Sequence, residues 1–201
     1  MIKMGLKLLL AFSTIIIIGS EAHCKASQYE NDINKWQMAS KLIVANKTNK
    51  AQRILMEMLR KTTLSKSLIY LTLGRLTFQD GKFSKALQYY RNVEQDSPYW
   101  MEAKEELAWT YIRMDKADKA IANGATLLTP IFLGQMGPEP YFMMSYANLM
   151  ICDYEKIFHL SKMFKHNESA KVEQLELISS GKPSKTLTQA FDKLRKGPYH
   201  T

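Results

Sequence analysis

The sequence predicts an all-α fold built from short paired helices, and three observations indicate it. From residue 31 onward apolar residues recur at steps of three and four, as in the stripe Leu87, Tyr90 and Val93, and no alternation of period two is sustained. Turn residues separate the helical runs. The same residue types also return after 34 positions. The separating residues are Asp80-Gly81, Ser97-Pro98, 134–140 and 181–183.

The N-terminus has the three parts of a secretory signal peptide. Lys3 and Lys7 form a basic start, an uncharged apolar run covers 8–18, and small residues follow it. The run has eleven residues, whereas a membrane-spanning helix needs about 20. We expect cleavage after residue 22, or as late as 26. The alternatives are an uncleaved anchor and a buried helix of a cytosolic protein.

The predicted signal places the protein outside the cytoplasm. We expect an exported protein, periplasmic or associated with the envelope of a bacterium, or extracellular. Cys24 leaves lipoprotein anchoring open, although His23 stands where lipoprotein signals prefer a small residue. If Cys24 is retained, a disulfide with Cys152 is also open.

The 34-residue spacing relates particular pairs of residues. Leu73 and Leu107, Gly74 and Ala108, and Ala86 and Ala120 are each 34 apart. With this register the sequence resembles the tetratricopeptide repeat (TPR) family. The resemblance implies a right-handed superhelical array of antiparallel helix pairs, a TPR-like α-solenoid. In that family small residues at the eighth and twentieth positions let the helices approach closely, and large apolar residues fill the space between them.

The resemblance divides the chain into about four units over 31–168. The best units are 67–100 and 101–134, and weaker units start near Asp32 and at Pro138. Thr77 and Gly124 depart from the pattern, since larger side chains are expected at both. Residues 169–201 are expected to form C-terminal capping helices and a basic tail. One helix is expected after Glu168, and a last one over 184–196, capped by Ser184 and carrying the stripe Leu187, Phe191 and Leu194.

The resemblance also implies a surface that binds a partner protein or peptide. The first helices of the units line a concave face in this family, and its contact positions map to aromatic and apolar residues here. The same positions include Ile112 and Leu149. The predicted partner-binding residues are Trp36, Leu71, Arg75, Phe78, Trp109, Arg113, Phe142 and Tyr146. The alternative is that these side chains belong to the core, or that a terminal helix fills the groove.

The connection from Thr129 to Pro140 is about three residues longer than the repeat requires. It carries Ile131, Phe132, Leu133 and Met136. We expect it to extend the preceding helix and pack inward; an exposed patch that contacts a partner is the alternative.

Composition and motifs argue against several other functions. No phosphate-binding loop or nucleophile motif occurs, and no catalytic residue or cofactor is predicted. His159 and His166 lack a third metal ligand nearby. The net charge of +9 is spread along the chain, which argues against nucleic acid and favours peripheral contact with an anionic envelope surface. The sequence does not indicate an oligomeric state.

Together these features predict a non-enzymatic, exported adaptor or scaffold in an envelope assembly. A structural subunit of a larger envelope complex, with its groove filled by the chain itself, is the alternative. An enzyme whose site is assembled from distant residues is a third.

Overall fold

The computed structural model describes residues 26–133, 135, 137–181 and 188–189, so the predicted signal peptide, Cys24 and most of the predicted last helix lie outside the described residues. The described elements are all α-helices, and the predicted all-α class of helix pairs is confirmed. The helices are α1 (26–44), α2 (Thr48–Arg60), α3 (Lys66–Gln79), α4 (Phe83–Arg91), α5 (Trp100–Arg113), α6 (Ala117–Leu127), α7 (Pro130–Leu133), α8 (Glu139–Met150) and α9 (Tyr154–Ser179).

Four turns share one backbone geometry, and they join α1 to α2, α3 to α4, α5 to α6 and α8 to α9. Each places one residue in the left-handed region, which satisfies the last carbonyls of the preceding helix. These residues are Asn46 (φ 55°), Gly81 (φ 74°), Asp115 (φ 55°) and Cys152 (φ 59°). The next N–H then donates to a carbonyl five residues back. The bonds are Lys47 to Leu42 (2.8 Å), Lys82 to Thr77 (2.9 Å), Lys116 to Tyr111 (3.0 Å) and Asp153 to Asn148 (2.9 Å).

The chain divides into two compact units, 1–110 and 111–201, with the division inside α5. In the first unit α3 packs against both α2 and α4. Gly74 of α3 lies against the ring of Tyr90 of α4, which is 2% exposed. Thr77 stands where a larger residue is expected, and its buried hydroxyl donates to the carbonyls of Leu73 (2.8 Å) and Gly74 (2.9 Å). The first unit's core is centred on Ala39, Ala51, Leu55, Met58, Ile69, Leu73 and Leu76.

In the second unit α8 packs against α6 on one side and α9 on the other. Gly124 of α6, another departure from the repeat pattern, faces the side chains of Met143 and Met144. Both methionines are buried, so side chains from α8 occupy the space that a larger residue at 124 would take. Flexible methionines suit such an irregular gap.

A buried carboxylate connects α1 to the segment between α2 and α3. Asp32 is 1% exposed, and its Oδ2 accepts hydrogen bonds from the Thr63 N–H (2.7 Å) and hydroxyl (2.9 Å). The Gln28 amide donates to Oδ1 at 2.9 Å. Burial alone would raise the pKa of Asp32, but the hydrogen bonds from Thr63, Gln28 and Thr62 together hold it below its ordinary value.

Two sequence expectations are wrong. The helix expected to start after Glu168 is not a separate element, because α9 runs unbroken from Tyr154 to Ser179 with no Gly or Pro to end it. The connection after α6 does not extend that helix. It forms the short α7, in which Ile131 is 76% exposed, because Pro130 cannot continue the preceding helix. Met136 lies outside the described residues.

Candidate interaction surfaces

Two of the contact positions taken from the repeat register are buried. Leu71 is 1% exposed and Ile112 is 5% exposed, so neither side chain presents a surface to a partner, and the assignment of Leu71 as a partner-binding residue is corrected. The burial of Leu71 accompanies the composition and packing of its helix, because α3 is rich in apolar residues and packs against both α2 and α4.

Three predicted aromatic residues of the first unit are half-buried. Trp36 packs against the core of that unit. Phe78 meets Phe83 edge-to-face, with ring centroids 5.4 Å apart. Trp109 is also half-buried. Much of their area is therefore committed to packing within the chain, as the core alternative expects.

Arg75 of α3 already binds carboxylates of its own chain. Its Nη2 is 2.8 Å from Glu102 Oε1, and its Nε donates to Glu106 Oε1 at 2.8 Å. The hydroxyl of Tyr90 donates to the other oxygen of Glu106 at 3.3 Å. Burial lowers the pKa of Arg75, but the two glutamates outweigh it and the net direction is upward. Burial, followed by the charge of Glu106, raises the pKa of Tyr90, so the phenol stays a donor.

The arrangement around Arg75 joins α3 to α5 within the first unit. A partner carboxylate would have to compete with two glutamates already in place, of which Glu106 is the less exposed. The sequence offered one signal for this contact: Glu106 stands one helical turn before Trp109, the residue 34 positions after Arg75.

The second unit presents an apolar stripe on α8. Phe142 is 61% exposed, Tyr146 is 44% exposed and Leu149 is 49% exposed. Their spacing of four and three residues places them on one face of the helix. The opposite face supplies Tyr141, Met144 and Ala147 to the core. We call Phe142, Tyr146 and Leu149 the α8 stripe. Arg113, at the end of α5, is exposed as well.

A shallow groove adjoins the α8 stripe where α8 meets α9. Its volume is about 270 Å³. The rings of Tyr141 and Phe164 form part of its wall, 5.4 Å apart and edge-to-face. The Asn167 amide donates to the Tyr141 hydroxyl at 2.9 Å and fixes that ring. The lining residues are Pro138, Tyr141, Phe142, Ser145, Leu160, Ser161 and Phe164. We call this the α8–α9 groove.

Sequence reasoning missed the part of the groove that α9 supplies. Leu160 and Phe164 are four residues apart and therefore share a helix face, which is the only signal for them in the sequence. Phe142 belongs to both features, so the stripe and the groove form one continuous apolar surface within the second unit.

In the described part of the chain, no group of three His, Cys, Asp or Glu residues is placed to hold a metal ion. Cys152 is an exposed free thiol at its turn. His159 and His166 are both exposed on α9. None of the helices in this part combines the length and the apolar character that crossing a membrane requires.

Comparison with known proteins gives one family. No curated protein matches the sequence. Residues 16–123 match the family model described as "Tetratricopeptide repeat protein 21 ARM repeat", which is just over half of the 201 residues. The match spans α1 to α5 and most of α6 and ends before α8. Helical repeats of this kind generally mediate protein–protein interaction. The chain belongs to the tetratricopeptide repeat protein 21 ARM repeat family.

Proposed function

We propose that this protein is an exported, non-enzymatic scaffold that binds a segment of a partner protein on the α8 stripe and in the α8–α9 groove. One observation carries the proposal: Phe142, Tyr146 and Leu149 present a row of large apolar side chains to solvent on one helix face, beside a groove. Monomeric soluble proteins rarely expose contiguous apolar patches of this kind without a use.

The shape of the surface indicates the kind of partner. The two aromatic rings of the α8 stripe are contacts of the type enriched at interfaces, and Leu149 adds apolar area beside them. A groove between two helices suits one face of an amphipathic helix, whose residues at i, i+3, i+4 and i+7 enter it. The partner segment is therefore an amphipathic helix with large apolar side chains.

The predicted N-terminal signal supports export. Its basic start, apolar run and small residues lie before the first described helix. Mass spectrometry of the protein isolated from its source organism tests this part of the proposal. We expect the chain to start at residue 23, or as late as 27, and to be recovered from the envelope or the medium. An unprocessed chain in the cytosol would contradict it.

The partner site is tested by comparing two double variants. Phe142→Ala with Tyr146→Ala removes two rings of the α8 stripe. Tyr154→Ala with Phe158→Ala is the matched control, because it removes two exposed rings, 56% and 69% exposed, from α9. Each protein is used to capture partners from an envelope extract, with quantification by mass spectrometry.

We expect the stripe variant to lose specific partners that the control variant retains, with unchanged circular dichroism for both. Removal of two hot-spot side chains lowers affinity by roughly tenfold or more for each residue. Equal partner sets from the two variants would refute the α8 stripe as the binding surface.

A second candidate function is a structural subunit whose face is filled by its own chain. It is favoured by the first unit, where Leu71 is buried and Arg75 is engaged by Glu102 and Glu106. If both double variants retain the same partners, the result favours this structural role over binding on the α8 stripe.

A further inference from the structure

The α8–α9 pair and the α3–α4 pair have matching turns, so their surfaces can be compared residue by residue. Gly81 and Cys152 occupy the left-handed position of the two turns, and they are 71 residues apart. In both turns the N–H of the next residue donates to a carbonyl five residues back. A residue of α3 or α4 therefore corresponds to the residue 71 positions later in α8 or α9.

In the first unit a helix covers the surface of the α3–α4 pair. Glu106 of α5 accepts a hydrogen bond from Arg75 of α3 at 2.8 Å and one from Tyr90 of α4 at 3.3 Å. Leu107, beside Glu106, is 5% exposed and lines a cavity of about 120 Å³ together with Tyr90 and Val93. The α5 helix therefore packs on this pair through apolar side chains, and a cation of α3 holds its carboxylate.

The corresponding surface of the α8–α9 pair is open within the part of the chain that the structure describes. Phe142 corresponds to Leu71, and Phe164 corresponds to Val93. Leu71 and Val93 are 1% and 5% exposed, whereas Phe142 and Phe164 are 61% and 39% exposed. The α8–α9 groove thus has the place on its helix pair that α5 fills on the α3–α4 pair. The comparison indicates that the occupant of the groove is a helix.

The cations beside the two surfaces are placed differently. Tyr146 stands where α3 has Arg75, so α8 offers no cation at this position. Two cations stand on α9 instead, where Lys162 and Lys165 are both exposed. Lys165 follows Ser161, which lines the groove, by one helical turn, and Lys162 is three residues before Lys165. The two ammonium groups therefore flank the α9 side of the groove.

The charge of these lysines indicates which occupant the groove accepts. Within the described residues neither Lys162 nor Lys165 forms an ion pair, whereas Lys171, farther along α9, is 2.8 Å from Glu168. Like charge disfavours the chain's own segment 182–196, which has five basic residues and one aspartate. It also disfavours a second copy, because the chain has a net charge of +9. An acidic partner has the complementary charge.

Resting on the function proposed above, we propose that the partner segment is an acidic amphipathic helix with its carboxylates on the α9 side of the groove. Its apolar side chains lie between Phe142 and Phe164, as those of α5 lie on α3 and α4. Its carboxylates face Lys162 and Lys165. This arrangement differs from that of α5, whose Glu106 faces the cation on α3, because the cations of the second pair stand on its other helix.

Two synthetic peptides test the charge of the partner on the purified mature protein. Both are about 18 residues long, or five helical turns, with leucines at i, i+3, i+4 and i+7 on one face. One peptide carries glutamates beside the leucines, and the other carries lysines at the same positions. The affinity of each labelled peptide is measured by fluorescence anisotropy at low and at physiological ionic strength.

Three double variants locate the charge that the peptides meet. Lys162→Glu with Lys165→Glu reverses the charge beside the groove. Lys47→Glu with Lys50→Glu is the matched control, because it makes the same change in net charge at two exposed lysines with the same spacing, at the start of α2. Lys162→Gln with Lys165→Gln removes the two charges without adding carboxylates to α9. Circular dichroism checks that each variant is folded.

We expect the glutamate peptide to bind wild type and the Lys47 and Lys50 control roughly tenfold more tightly than the lysine peptide does, because complementary charge favours one partner over another. The preference should reverse when Lys162 and Lys165 are changed to glutamate and shrink when they are changed to glutamine. Added salt should also reduce it. Equal affinity of the two peptides for wild type, or an equal change of preference in both charge-reversing variants, would overturn the proposal.

The stripe variant, Phe142→Ala with Tyr146→Ala, separates this result from the proposed function. If both peptides bind wild type equally and bind the stripe variant more weakly, the surface binds a helix but the partner is not acidic. If the stripe variant binds both peptides as wild type does, the surface itself is wrong. If neither peptide binds wild type, the acidic helix is overturned, and the capture experiment still decides the proposed function.

The other two occupants have readouts of their own, and either would overturn the proposal. A second copy in the groove would give a dimer of wild type and a monomer of the stripe variant in sedimentation. Coverage by the chain's own C-terminal residues would allow the glutamate peptide to bind only after Leu187→Asp with Phe191→Asp.

Discussion

Gly74 and Gly124 are helical glycines that face different kinds of neighbour. A Cβ at Gly74 would lie 2.5 Å from Cδ1 and 2.8 Å from Cζ of the buried Tyr90 ring, which is too close for van der Waals contact. A Cβ at Gly124 would lie 2.7 Å from Met143 Cε and from Met144 Sδ, both near the ends of flexible side chains. A ring locked between helices cannot yield, whereas a methionine can change rotamer.

We therefore predict opposite outcomes for the same substitution. Alanine is favoured over glycine within a helix by about 1 kcal/mol, whereas overpacking costs about 1–3 kcal/mol. Gly74→Ala should lower the free energy of unfolding, and Gly124→Ala should leave it unchanged or raise it. Urea unfolding followed by circular dichroism measures both, and a similar loss for the two variants would contradict the packing described around Tyr90.

At the scale of elements, Asp32 ties α1 to the connection between α2 and α3. We predict that Asp32→Asn lowers the free energy of unfolding by about 1–3 kcal/mol at neutral pH, because the amide has one acceptor oxygen instead of two and lacks the charge that strengthens the hydrogen bonds from Thr63 and Gln28. The pKa of Asp32 is lowered in the folded state, so its stabilisation is complete above the unfolded pKa, near 4, and is lost as the pH falls through the folded value.

The difference in the free energy of unfolding between wild type and Asp32→Asn should therefore shrink as the pH falls below about 4. Thermal unfolding across this pH range measures it. Glu57→Gln is the control: the pKa of Glu57 is also lowered, by its hydrogen bond to Lys35, but the pair is exposed to solvent and screened by salt. A difference for Asp32→Asn that does not change with pH would contradict the role given to its charge.

Helix pairing could be read from the sequence because it depends on local spacing. The turn at Gly81 and the close approach at Gly74 follow from residue types at fixed positions. Contacts between distant residues could not be read in this way. The sequence does not show that Glu102 and Glu106 form ion pairs with Arg75. It also does not show that Leu71 of α3 is buried.

The surface of the second unit was only partly predictable for the same reason. Phe142 and Tyr146 were found from the repeat register, but the groove beside them needs α9, whose course depends on packing with α8. The unbroken length of α9 does not follow from the repeat register, which ends at 168. With no Gly or Pro there, the end of a repeat unit does not end the helix.

At the scale of the whole molecule, the net charge of +9 is its most general property. We predict that the purified mature protein binds vesicles containing phosphatidylglycerol at low salt, because basic side chains are attracted to an anionic surface. Binding should fall as salt is added, since the Debye length is only about 10 Å at 0.1 M ionic strength. Co-sedimentation measures it, with phosphatidylcholine vesicles as the control, and equal binding to both would contradict an electrostatic contact.

The four matching turns have a consequence for the length of the array. Their chain reversal uses main-chain hydrogen bonds and one left-handed residue, and the residue there is Asn46, Gly81, Asp115 or Cys152. The same turn geometry therefore connects the helices of these four pairs, whichever residue occupies the left-handed position. A gene encoding such a chain can gain or lose a whole helix pair by duplication or deletion between two of these turns. The turn formed at the new connection then has the same backbone geometry as the others.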